Sequence, residues 1–343
     1  MSAPANVGLV VHGRGDLRLE ELAEPAPAAD EAVIAVAFGG ICGSDLHYWR
    51  DGAVGESVLR APMVLGHELS GTVLTAAADG SGPVAGTRVA VHPATPGTGR
   101  FPPGRPNISP GASYLGSAAT FPHRDGGFAR RIALPARMLR AIPDALALDV
   151  AALAEPAAVA AHAIARGGAS AGMRAVVIGC GPIGALTVVG LRRAGLEAAV
   201  VDVRDEPLRL ARRLGAARAI RADDPALLAL DADVVIEASG SPRGLASAIA
   251  CAARGARIVL VGMQPSGEHP ASLASVVSRE LELVGSFRFV DEIDGVLSAL
   301  ARGELDVSPV ISGRYALADA RAAFERAGDP GFPGKVLLDF ATA

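Results

Sequence analysis

Lysine is nearly missing from this chain. Lys335 is the only one, and arginine supplies the rest of the 32 basic side chains. Those arginines are scattered among 36 acids, leaving a formal net charge of -4. A phosphate backbone is held mainly by dense positive patches, so the sequence makes no electrostatic case for nucleic acid. The arginine bias reads as a compositional habit rather than a binding surface. Cysteine is scarce too: Cys42, Cys180 and Cys251 lie far apart and leave one over after any pairing, which argues against a disulfide framework. Cys180 and Cys251 sit among small apolar residues and read as core hydrophobes, whereas Cys42 has polar neighbours. Aromatics make up 4% of the chain, so its cores are expected to be built from Ala, Val, Leu and Ile. Met1 to Asn6 lacks the charged-then-apolar layout of a signal peptide, which makes the cytoplasm the expected compartment. The longest weakly polar run, Ala175 to Leu191, is punctuated by glycines and a proline and closed by Arg192 and Arg193. That pattern suits a strand and helix better than a membrane span, and no membrane partner is expected.

What is present divides in two. A length of 343 residues exceeds one ordinary core, so two domains or one large barrel are the options. Up to about Pro143 the chain reads as short strands with turn punctuation: Gly8 to His12, Ala32 to Phe38, Leu69 to Thr75, Arg88 to His92 and Phe128 to Leu134. From Ala151 apolar strands alternate with amphipathic helices, the signature of a parallel sheet covered on both faces. Strands are expected at Arg174 to Ile178, Ala198 to Val203, Asp233 to Ala238 and Arg257 to Gly262. Helices are expected from Pro182, across Pro207 to Leu214, and from Arg243 to Ala253. A helix at Leu317 to Ala327 and a last strand at Lys335 to Phe340 belong with the first half. The expected division is 1–145 with 308–343 around 146–307. The Pro- and Gly-rich stretch His92 to Ser117 is expected to be an irregular surface lobe.

The second half opens on Val176-Val177-Ile178-Gly179-Cys180-Gly181-Pro182-Ile183-Gly184. Gly179 permits the tight turn, Gly181 lets a pyrophosphate approach, and Gly184 lets the helix pack closely on the strand. Pro182 and Ile183 open the helix whose free N–H groups face the phosphates. Asp202 ends the next strand roughly 20 residues on, placed to accept from ribose hydroxyls. It favours NAD over NADP, while Arg204 offers a countercharge that would admit NADP.

The first half carries a different chemistry. Gly39-Gly40-Ile41-Cys42-Gly43-Ser44-Asp45-Leu46-His47-Tyr48-Trp49 sets a thiol beside a hydroxyl and an imidazole. Gly66-His67-Glu68 sets an imidazole and a carboxylate at the start of a strand, and Glu155 opens the helical segment leading into the second half. Thiolate, imidazole and carboxylate are the set that Zn²⁺ accepts. Singly, each has a plain alternative: a core cysteine, a solvated His-Glu pair, a helix N-terminal charge. Together with the dinucleotide fingerprint they supply the electrophile that hydride transfer needs.

Gly-His-Glu, Cys-Gly-Ser-Asp-x-His-Tyr and G-x-G-P-x-G together resemble the zinc-containing medium-chain dehydrogenase family over nearly the whole chain. The resemblance implies an α/β fold, with a GroES-like β-rich catalytic domain around a doubly wound Rossmann domain. It implies zinc held by Cys42 and His67, with Glu68 and Glu155 as direct or exchangeable ligands. Ser44 matches the hydroxyl that bonds the substrate oxygen, and His47 the end of a proton relay through the nicotinamide ribose. Gly262 and Phe287 match cofactor-side positions. Tyr48 and Arg288 match substrate-pocket positions of the sorbitol and L-idonate dehydrogenase branch; taken alone, Tyr48 suits packing equally well, and Arg288 suits a cofactor phosphate or an interdomain acid. Phe121 to Phe128 with Gly285 to Phe289 is similar to L-idonate 5-dehydrogenases, which interconvert L-idonate and 5-keto-D-gluconate; His123 there reads as a substrate contact or a turn residue. Sorbitol or xylitol oxidation is the alternative within the family, and a non-catalytic dinucleotide-binding sensor or structural protein the alternative outside it. The resemblance also implies a homo-oligomer, dimer or tetramer.

In the lobe His92 to Ser117 many members of that family hold a second, structural zinc on four cysteines, and this chain has no cysteine there. Metal analysis of protein expressed with ample zinc should therefore find about one ion per subunit; two would overturn this reading of the lobe.

Overall fold

The computed structural model describes residues 5–341. Most of the Met1 to Asn6 reading, and the outermost ends of the expected first and last segments, lie outside the described residues. Among the described residues no helix is long and apolar enough to cross a membrane.

The first half forms a seven-stranded sheet in the order Leu139–Ala141, Arg88–Val91, Glu68–Thr75, Glu31–Gly40, Lys335–Asp339, Ile311–Ala316, with Arg131–Pro135 also on Glu31–Gly40. Glu31–Gly40 is its spine, burying Ala32, Ile34 and Val36 on the apolar face. The end of the chain returns to it: Leu337, Leu338 and Asp339 pair antiparallel with Gly40, Gly39 and Phe38. The connecting helix runs Ala320–Ala327, the expected first turn from Leu317 being a tighter 3-10 turn, Leu317–Asp319. Strand Val7–Gly13 lies in a separate three-stranded sheet with Asp16–Glu21 and Met63–Val64.

The second half is a six-stranded parallel sheet ordered Arg218–Arg221, Ala198–Asp202, Ala175–Ile178, Ala232–Glu237, Ala252–Leu260, Glu282–Gly285. Numbered from Ala175–Ile178 this is 3-2-1-4-5-6, whose switch point beside the first strand forms a crevice for a dinucleotide. Arg218–Arg221 and Glu282–Gly285 were not expected from the sequence; they are edge strands, half solvated, and lack an apolar run.

The aromatic scarcity is distributed unevenly. The cluster beneath one face of the parallel sheet contains no aromatic at all. The β-rich half instead gathers Tyr48, Trp49, Phe128, Phe324 and Phe340 into one core, correcting the expectation of aliphatic cores throughout. Phe128 is fully buried, 6.5 Å edge-on from Phe324 and 6.1 Å from Phe340. Backbones crowd around it, since a Cβ at Gly39 or Gly66 would strike its ring.

Phe128→Ala should lower stability by about 3–5 kcal/mol, because so crowded a site cannot collapse onto the cavity. Denaturant unfolding measures this; a loss under about 1 kcal/mol would show that the ring does not organise this core.

Candidate active site

Cys42 follows strand Glu31–Gly40 and sits just before helix Gly43–Asp51, in extended backbone. Asp45, on the first turn and fully buried, braces it. One carboxylate oxygen accepts from the Cys42 N–H at 2.9 Å, the other from the Gly66 N–H at 3.2 Å. Asp45 thus ties the thiol-bearing turn to the residue before His67. Burial raises the Asp45 pKa, with the nearby His67 and the two backbone donors opposing it.

Glu68 opens strand Glu68–Thr75 directly opposite Gly40. A Cβ at Gly40 would collide with the Glu68 carboxylate, so glycine there leaves room for it to fold inward. Lys335, the lone lysine, comes in from the last strand. Its Nζ lies 2.6 Å from Glu68 Oε1 and donates to the Ile41 carbonyl at 3.1 Å, with both side chains almost fully buried. The other carboxylate oxygen, Oε2, and His67 Nδ1 are buried without a hydrogen-bond partner.

Ligand atoms of Cys42, His67 and Glu68 all lie within 4.8 Å of one another. A soft sulfur, an imidazole nitrogen and an orphaned carboxylate oxygen at that spacing fit a zinc ion. Burial opposes charge on His67, yet the Cys42 sulfur, Asp45 and Glu155 together hold its pKa up to about 10, so in metal-free protein a proton takes the place of a cation. Glu155 stands in the same buried cluster but outside that trio. Its Oε1 accepts from the Tyr114 hydroxyl, and burial, with Glu68 adding negative charge, raises its carboxyl to about 7.

A cavity of about 560 Å³ joins this cluster to the nucleotide half. Ser44 and Tyr48 line it, as do Ile183, Gly262, Phe287 and Arg288 from the nucleotide half. The Tyr48 hydroxyl accepts from the Ala118 N–H at 2.9 Å, which leaves its own proton free to donate. Arg288 has left-handed backbone (φ +53°) and lies 4.2 Å over the Tyr114 ring. His47 does not line the cavity; it is exposed in the middle of its helix, 2.8 Å from Asp51. His123 staples a turn, its ring between the Arg60 N–H and the Thr120 carbonyl.

Gly179, Gly181, Asp202, Arg204 and Arg243 line a second crevice. Gly179 has φ +86°, and a Cβ at Gly184 would strike its carbonyl, so the helix beginning at Pro182 seats tightly on the strand. Asp202 accepts from the Cys180 N–H at 2.8 Å and from the Arg204 N–H at 3.1 Å. Gly262 packs against the backbone of Gly240.

Residues 28–144 match the alcohol dehydrogenase GroES-like domain, and residues 182–302 the zinc-binding dehydrogenase domain. A sorbitol dehydrogenase of Gallus gallus is 34% identical over 333 residues, 93% of this chain and 92% of that protein. The chain belongs to the zinc-containing medium-chain dehydrogenase family, in its sorbitol and L-idonate dehydrogenase branch. It is an alcohol or polyol dehydrogenase with a GroES-like and a Rossmann domain. Among solved structures, L-idonate 5-dehydrogenase from Escherichia coli superposes with a TM-score of 0.86 at 31% identity, covering 98% of this chain and 99% of that one. A zinc-binding dehydrogenase from Sinorhizobium meliloti, bound to NADP, superposes at 0.88 with 26% identity, covering 98% and 100%.

Sequence reasoning missed Lys335, Asp45 and Tyr114 as members of this cluster. Asp45 lay inside the quoted motif at a capping position, and Lys335 was the sole lysine in an apolar strand; Tyr114 carried no signal. The lobe His92 to Ser117 is also more than a surface feature, because Tyr114, Leu115, Gly116 and Ser117 form part of the cavity wall.

Glu155 and His67 both bind a proton more tightly folded than unfolded. For each, the raised folded pKa means that stability is fully present below the unfolded value and lost as pH climbs to the folded one. The windows run from 4.5 to about 7 for Glu155 and from 6.5 to about 10 for His67. Chelator-treated protein should therefore unfold at lower urea as pH rises from about 6 to about 9, and Glu155→Gln should flatten the part below about pH 7. A midpoint that rises over this range contradicts the assignment.

Proposed function

We propose that this dehydrogenase moves a hydride between NAD(P) and a sugar acid, with L-idonate and 5-keto-D-gluconate as the substrate pair. One observation carries the reading: a single cavity joins the zinc-type ligand trio, the dinucleotide-side residues Ile183 and Gly262, and a guanidinium, Arg288. The E. coli L-idonate 5-dehydrogenase structure supports it further.

In this reading Cys42, His67 and Glu68 hold one zinc ion, with Glu155 as the exchangeable ligand. Bound zinc would supply Lewis acidity that eases proton loss from a substrate hydroxyl, and the nicotinamide the hydride acceptor. Ser44 would orient the reacting oxygen and pass its proton outward; His47, exposed beside Asp51, would hand it to solvent. Tyr48 donates to a neighbouring substrate hydroxyl. Asp202 favours NAD, and Arg204 with Arg243 offers a 2′-phosphate enough countercharge for NADP to be used. The same reading assigns 1–145 with 308–343 to the catalytic domain and 146–307 to the dinucleotide domain, in a cytoplasmic dimer or tetramer. A polyol substrate such as sorbitol is the second reading, favoured by the sorbitol dehydrogenase relatives.

A panel of L-idonate, D-gluconate, sorbitol, xylitol and L-threonine, each with NAD⁺ and NADP⁺ and followed by nicotinamide absorbance, decides between them. L-idonate with NAD⁺ should give the highest kcat/KM; a strong preference for sorbitol rejects the sugar acid.

A further inference from the structure

Two arginines line the cavity without a salt bridge among the described residues. Arg105 and Arg288 both line it, and among the described residues no carboxylate makes a salt bridge with either. The Nε of Arg105 is buried with no hydrogen-bond partner. An unmet buried donor is costly, so a native protein keeps one where a ligand completes it. The guanidinium carbon of Arg288 lies 4.2 Å from the centre of the Tyr114 ring and 4.7 Å from that of Phe287, and among the described residues its N–H groups make no hydrogen bond, which leaves them for an acceptor. Burial lowers its pKa, and Tyr114 and Glu155 offset this only in part. Its left-handed backbone is uncommon outside glycine, and such strain clusters at ligand sites.

The two guanidinium groups come from segments far apart in sequence but joined directly. Buried Asn107, two residues after Arg105, donates from Nδ2 to the carbonyl of Phe287 at 2.7 Å. Arg105 itself begins a closed turn, with the Ile108 N–H bonding back to its carbonyl at 3.2 Å. Arg105 therefore sits on a fixed support registered against Arg288, not on a free loop.

Two guanidinium groups with no salt bridge in one pocket suit a carboxylate or phosphate better than neutral hydroxyls. We infer that Arg105 and Arg288 form a clamp for an anionic group on the substrate's carbon chain. This rests on the dehydrogenase reading above and narrows its substrate class. A sugar acid offers the group as a carboxylate, and a hexitol phosphate offers it as a phosphate.

Arg105→Gln and Arg105→Lys in the full zinc-loaded chain test the clamp. With Arg105→Gln, KM for L-idonate should rise about tenfold or more while kcat stays within about twofold, and KM for sorbitol and NAD⁺ should not move. Calorimetric titration with L-idonate in the absence of nicotinamide, where no turnover is possible, should show the same loss in Kd. Arg105→Lys should recover part of it, as a point charge without the planar fork. If the wild type takes a hexitol 1-phosphate instead of sugar acids and Arg105→Gln raises that KM, the clamp stands and the L-idonate assignment falls. If L-idonate and sorbitol shift alike, if only NAD⁺ is affected, or if the wild type binds no anionic substrate, the clamp is overturned and the dehydrogenase assignment stands.

Discussion

A lysine and a glutamate buried against each other hold the catalytic half together. Lys335 begins the last strand of the chain, and Glu68 begins a strand far earlier; the sheet order puts Glu31–Gly40 between them. Neither charge has water to fall back on, so each depends on the other and on the Ile41 carbonyl. Removing one partner of such a pair typically costs about 3–5 kcal/mol, because the survivor is left charged and alone. A hydrophobic pair of equal volume would often be as stable, so stability alone does not account for burying two charges here. The pair does something apolar packing cannot: it fixes one oxygen of Glu68 and leaves the other, Oε2, without a hydrogen-bond partner in the cluster with His67 and Cys42.

The same economy governs the residues around it. Gly40 contributes by lacking a side chain, Asp45 by joining two backbones through one carboxylate. Both act on position rather than chemistry, and both are set by the register of Glu31–Gly40 with Glu68–Thr75. The aromatic core packs beneath this sheet. The nucleotide half has the opposite character, with small and branched aliphatic residues that let helices seat closely on a parallel sheet, as Gly184 does at the first crossover.

Elements with a strong periodic signal were legible from the residues alone. The strand–glycine–helix unit at Ala175 to Arg193, and the later strands ending at Asp202 and Glu237, follow from uninterrupted apolar runs and Gly179. Edge strands were not, since Arg218–Arg221 and Glu282–Gly285 hold only two apolar residues each beside a charged one and gain their shape from a neighbour. The site divides in the same way. Cys42, His67 and Glu68 announce themselves because unusual residue types stand at turn–strand junctions. Lys335, Tyr114 and Arg105 do not, because their part depends on contacts that close only when the last strand and the lobe reach the cavity. Composition suggested that the lone lysine belonged to a general arginine bias; its position shows instead that one cation in this chain answers to a buried partner.

That pairing also bears on why two glutamates occupy one small volume. Two bare carboxylates beside a thiol would repel strongly in a buried site. Lys335 answers Glu68, and Glu155 is held at a carboxyl pKa near neutrality, bonded to Tyr114. One acid is thus paired with a buried lysine, and the other stands close to giving up or taking a proton. Zinc bound by Cys42, His67 and Glu68 would oppose the proton on His67 and favour the ionised form of Glu155. The exchangeable role proposed for Glu155 is consistent with this environment, since a group whose ionisation is nearly balanced is one that a small change in local charge can move.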